Sequence, residues 1–128
     1  MSNLNATEYT AFEEIKHVSL DGTEFWYARE LAEVLEYVQW RNFVKVLERA
    51  ILACKNSGYG IKEHFAEVSK TIDMPKTATK QIIEYKLTRY ACYLIVQNGE
   101  PRKEVIALGQ TYFAIQTPVR HSLQTTPC

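Results

Sequence analysis

The chain has 128 residues, 15 basic and 15 acidic side chains, and a formal net charge of zero. With 46% hydrophobic and 23% charged residues it has the composition of a single globular domain, which excludes a disordered tail, a collagen-like repeat and a disulfide scaffold. No apolar run approaches the ~20 residues that span a bilayer, and the opening MSNLNATE has neither the basic nor the apolar region of a signal peptide.

Residues 1–11 read as a leader with little to pack, ahead of a domain over 12–117. His17 to Leu20, Asp21-Gly22 and Thr23 to Tyr27 predict a β-hairpin. Asp-Gly supplies the positive φ angles of a two-residue turn, and Phe25, Trp26 and Tyr27 favour a strand. A short helix follows over about 28–36, with Ala28, Leu31, Ala32 and Leu35 on one face. A longer one spans about 39–55. Its residues Trp40, Phe43, Val44, Leu47, Ala50, Ile51 and Cys54 form a nearly unbroken apolar stripe that ends at Asn56-Ser57-Gly58.

Strand-like pieces near 66–72 and 80–85 flank a polar, basic tip, Met74 to Thr79. Thr88 is placed as the N-cap of a third helix running to about Asn98, apolar nearly all round and therefore central. Pro101 suits the first turn of a fourth helix over about 101–116, with Gly109 allowing a close approach and Pro118 as the stop. Residues 118–128 carry no pattern and read as an irregular tail. The sum is an α+β domain, with small antiparallel hairpins or a sheet packed with about four helices.

Enzyme signatures are missing: no phosphate loop, dinucleotide glycine fingerprint, GxSxG or HExxH occurs. His17, His64 and His121 lie far apart, so no spacing suggests a metal, and nothing implies a cofactor. Cys54, Cys92 and Cys128 are odd in number with no CxxC pair, which fits a reducing, cytoplasmic compartment. Cys54 and Cys92 fall on apolar helix faces, where a thiol serves as a small hydrophobe. No catalytic residue is assigned.

The charges are more informative. Residues 1–36 carry two basic and eight acidic groups, and residues 37–128 carry 13 basic and seven acidic. Arg41, Lys45 and Arg49 recur every fourth residue, on one helix face away from the apolar stripe. Phosphates would use such a row. The plainer alternative is a solvated face neutralised by Glu30, Glu33 and Glu36 of the preceding helix. Lys76 and Lys80 at the hairpin tip read as a phosphate-contacting wing or as a solubilising turn. Arg102 and Lys103, expected in the positive first turn of helix four, together with Arg89, form an anion-binding candidate or else pair with the acidic segment. Of the 15 aromatics, Tyr37 and Tyr59 in the connections are free to stack on bases if exposed, and most of the rest suit the core.

The strings FWYARELA (25–32), ACKNSG (53–58), HF (64–65), LTRYACYLIVQNG (87–99) and GQTYFAIQT (109–117) follow one another in an order and spacing that resembles the bacterial DNA-damage-inducible protein D family. The front part of that family is similar to the Bro-N domain of viral and phage proteins. The resemblance implies a Bro-N-type α+β fold in a non-enzymatic, cytoplasmic protein of the SOS response. It also implies a link to DNA binding, phage antirepression and modulation of a recombinase filament on single-stranded DNA. Family members continue into a second, helical and charged region, whereas here the pattern ceases at Thr117.

Two readings of function follow. In the first, a regulatory module contacts DNA, single- or double-stranded, through Arg41, Lys45, Arg49, Lys76 and Lys80. In the second, favoured by the zero net charge and a pI near 6.8, it engages a recombinase filament or a repressor without touching DNA. Neither involves a membrane or a small-molecule cofactor.

Overall fold

Trp26 is where the layers meet. It is fully buried, and its indole N–H donates to the Phe12 carbonyl at 3.0 Å. The computed structural model describes the backbone of residues 10–125 and the side chains of residues 10–114. Its elements are α1 (Thr10–Glu14), β1 (His17–Val18), β2 (Glu24–Tyr27), α2 (Ala28–Val34), α3 (Trp40–Asn56), α4 (Ile61–His64), β3 (Phe65–Asp73), β4 (Thr79–Leu87), α5 (Arg89–Gln97) and α6 (Glu104–Thr125). The strands form one antiparallel sheet in the order β1-β2-β4-β3. The fold is therefore α+β with four main helices, as the residue patterns indicate.

Strand alternation sets the sheet's two faces. Trp26 pairs with Leu87, and Leu87 with Phe65, all three buried in the core. Phe43 and Leu47 of α3, Ile95 of α5, and Ile106 and Phe113 of α6 complete it. Helix α5 is central, as its all-round apolarity predicts, and packs against both α6 and α3. Thr88 caps it, its hydroxyl accepting from Ala91 N at 3.2 Å. Gly109 permits the close packing expected of it: a Cβ there would stand 2.9 Å from Val96 Cγ1 and 3.2 Å from Phe12 Cζ.

Several boundaries differ from the sequence reading. The first hairpin turns through three residues, not two. Ser19 N donates to Thr23 O at 2.9 Å, Gly22 alone has positive φ (+89°), and the Asp21 carboxylate accepts from Ser19 Oγ at 2.7 Å and Thr23 N at 3.0 Å. Asp21 thus serves as an acceptor that ties the loop. The short helix α4 carries no apolar periodicity, and sequence patterning does not find it. Thr10 and Ala11, read as leader, begin α1 because Phe12 anchors that turn in the core, while residues 1–9 lie outside the described residues.

The fourth helix starts at Glu104, three residues later than Pro101 suggests, because Pro101 to Lys103 form a turn closed by Lys103 N to Glu100 O at 3.1 Å. It runs past Pro118 to Thr125, so that residues 118–125 are helical. Proline withdraws one N–H and crowds the carbonyl four residues back, a local cost that a helix of 22 residues outlasts.

Candidate nucleic-acid interface

Arg41, Lys45 and Arg49 all lie exposed on α3, opposite the face that buries Phe43, Val46, Leu47 and Ala50. Among the described residues no carboxylate stands within 4.0 Å of any of the three. The acids of α2 do not neutralise the row. Glu30 is turned to His17 Nε2 at 2.8 Å, and neither Glu33 nor Glu36 forms an ion pair with it. Arg49 Nη2 donates to the Asn98 carbonyl at 3.1 Å. Lys45 and Arg49 line a shallow groove of about 380 Å³ between α3 and the α5–α6 link.

Lys76 and Lys80 are exposed at the far end of the β3–β4 hairpin, Lys76 in the tip itself with a left-handed backbone (φ +66°). Among the described residues neither has a carboxylate partner within 4.0 Å. No hydrogen bond or ion pair among the described residues joins this tip to the row on α3.

The structure separates the three members of the expected anion site. Arg89 is buried. Its Nε and Nη2 donate to Glu24 at 2.5 and 2.9 Å, and its guanidinium lies 5.0 Å from the ring centres of Trp26 and Tyr112. Arg102 is exposed and pairs with Glu100 at 3.3 Å. Lys103 sends its ammonium to the C-terminal end of α2, 3.4 Å from the Leu35 carbonyl and 3.0 Å from that of Glu36. A cation there meets the negative end of a helix. The expected clash with the start of α6 is therefore absent: Arg102 and Lys103 precede that helix, and Glu104 occupies its first turn. Arg89 thus follows the alternative reading, pairing with the acidic first segment, although spacing could not single out Glu24, 65 residues away.

Of the two tyrosines singled out for stacking, Tyr37 packs against the core, with Lys103 Nζ 3.9 Å from its ring centre. Tyr59 is 46% exposed and touches the rings of His64 and Tyr90.

A further set of residues escaped the sequence reading. Phe25 and Tyr27 alternate with Trp26 and lie on the other face of β2, with His17 stacked on Phe25 at 5.3 Å. Lys86 Nζ lies 4.9 Å from the Phe25 ring and Lys70 Nζ 5.9 Å from that of Tyr27. The alternation of β2 carried the signal, since only one of two adjacent aromatics on a strand can face the core.

The two cysteines among the described residues, Cys54 and Cys92, are buried, and desolvation pushes both thiols up, Cys92 far more. A thiol so placed packs as a small apolar group. Among the described residues no group of three or more His, Cys, Asp or Glu is placed to hold a metal ion, and no helix is long and apolar enough to cross a membrane.

Residues 14–114 match the BRO family, N-terminal domain, and the chain belongs to that family. It is 51% identical over 106 residues to DNA damage-inducible protein D of Escherichia coli (strain K12), an overlap covering 83% of this chain and 39% of the relative. The chain thus spans about two-fifths of the length of that curated relative. No solved structure matches it.

Proposed function

We propose that this domain is a non-enzymatic, cytoplasmic regulatory module of the DNA-damage response that acts on nucleic acid. The observation that carries the reading is the row Arg41, Lys45 and Arg49, exposed on one face of α3 with no carboxylate of the described residues within 4.0 Å. Like charges one helical turn apart repel by a few tenths of a kcal/mol per step. A DNA backbone removes that repulsion and gains the entropy of released counterions. Lys76 and Lys80 extend the same chemistry to the hairpin. The relative's name supports the damage-response context.

The test is fluorescence anisotropy with labelled single- and double-stranded DNA over a salt series. Binding weakens steeply with salt, and changing Arg41, Lys45 and Arg49 to Ala makes the log–log slope on duplex shallower by about 2–3. If neither DNA binds at low salt, the reading fails, and a protein partner such as the recombinase filament replaces it.

A further inference from the structure

The core leaves two large aromatic rings unused. Phe25 and Tyr27 are neither buried in it nor packed against it. They stand side by side on β2, ring centres 5.3 Å apart, on the sheet face opposite Trp26, Leu87 and Phe65. Both rings are only partly exposed, with His17 stacked on Phe25, yet the part left in water forgoes burial that would stabilise the fold.

Their neighbours are cations. Lys86 is the cross-strand partner of Tyr27 and reaches over Phe25. Lys70 reaches toward Tyr27 from β3. Both are exposed, and neither has a carboxylate within 4.0 Å among the described residues. Alternation places Lys80 of β4 on this same face. From Lys86 to Lys80 the strand covers about 20 Å at ~3.4 Å per residue, a basic track leading away from the rings. Among the described residues two carboxylates belong to this face. Glu30 is taken by His17, and Glu84 is fully buried, its Oε1 accepting from Arg29 N at 3.1 Å and Tyr85 N at 3.0 Å and its Oε2 without a partner among the described residues.

We infer that this sheet face is a second binding surface, one that takes single-stranded nucleic acid. Bases stack at Phe25 and Tyr27 as the lysines swing off the rings to meet the phosphates. The inference rests on the nucleic-acid reading above and deepens it. Duplex bases are already stacked and cannot use these rings; a single strand can.

The experiment titrates the full chain with labelled oligothymidine, oligouridine and a DNA duplex. It compares wild type with the double variant Phe25→Ala/Tyr27→Ala and with Lys70→Ala/Lys86→Ala, with circular dichroism confirming the fold of each. The aromatic variant is expected to lose at least about fivefold in single-strand affinity per ring, with an unchanged salt slope and unchanged duplex binding. The lysine variant is expected to lose about 1.4 from the single-strand slope, ~0.7 per lysine. The preferred oligonucleotide tells whether the strand is DNA or RNA. Unchanged single-strand affinity in the aromatic variant, or an equal loss on duplex, overturns this inference and leaves the row on α3 standing. Absence of binding by wild type to all three probes overturns both.

Discussion

Replacing Glu24 by Gln tests whether the Arg89 ion pair is a structural necessity of the core. The Arg89 side chain is 7% exposed and that of Glu24 26%. Arg89 Nη1 is buried without a hydrogen-bond partner among the described residues, so Glu24 supplies the one anionic charge paired with the guanidinium there, beside the ring faces of Trp26 and Tyr112. Breaking a buried pair by removing one charge costs about 3–5 kcal/mol. The amide oxygen of Gln keeps one neutral hydrogen bond and Glu24 is partly solvated, which brings the expectation for Glu24→Gln to about 2–3 kcal/mol. At ~2.1 cal/mol/K of unfolding entropy per residue, a chain of 128 residues then melts about 7–11 °C lower. Differential scanning calorimetry reads this directly. The double variant Glu24→Gln/Arg89→Met, which also removes the stranded cation, is expected to recover most of the loss, because apolar replacement of a buried pair is often neutral. A shift under about 3 °C for the single variant, or a double variant no more stable than the single, refutes the reasoning.

Three further outcomes follow from local geometry. Glu36 holds a left-handed backbone (φ +66°) at the end of α2, where Tyr37 N donates to Ala32 O at 2.9 Å and Glu36 N to Glu33 O at 3.0 Å. Glycine suits that position, so Glu36→Gly is expected to raise the urea midpoint by a gain of about 0.5–1 kcal/mol, and a lower midpoint counts against it. Gly109→Ala gains ~1 kcal/mol of helix propensity but drives a methyl against Val96 and Phe12. A net loss of about 1–2 kcal/mol is expected, partly recovered by Val96→Ala in the same background. The bond from the Tyr112 hydroxyl, aided by Lys16, holds the Glu13 carboxyl below its ordinary 4.5. The folded state binds that proton more weakly than the unfolded one, so this contribution is present above pH 4.5 and fades as the pH falls through the lowered value. The melting temperature of Glu13→Gln should therefore fall less steeply than that of wild type on acidification below pH 4.5, and parallel curves would contradict the assignment.

How far the sequence carried depended on the range of the interaction. Helix α3 was legible because its stripe of Trp40, Phe43, Leu47, Ala50 and Cys54 is a local, periodic signal, and so was the row of cations on its far side. The Thr88 cap and the Gly109 approach are likewise decided by single residues in a clear pattern. The anion site proposed around Arg89 was not legible. Its fate turns on Glu24 and on the rings of Trp26 and Tyr112, which only the assembled fold brings together. Lys103 illustrates the same limit, since its acceptors belong to residues 67 and 68 positions earlier. Phe25 and Tyr27 fall in a strand as their residue types indicate, but their outward face is not singled out, for another reason. Counting aromatics as core material ignores that a strand offers only every second residue to it.

The root of the β3–β4 hairpin is clamped twice to α2: Glu84 accepts from Arg29 N, and the Arg29 guanidinium grips the Ile83 carbonyl at 3.1 and 3.0 Å. Beyond that clamp the ladder from Ser69 to Asp73 and from Thr79 to Gln81 stands mostly in solvent. Mechanically it is a cantilever, rigid at its base and loaded at a cationic free end. Its outer hydrogen bonds are exposed to water and open at a lower free energy than the core strands. Amide exchange should then quicken stepwise from Lys86 toward Thr79, and a polyanion gripping the tip would slow it from the free end inward.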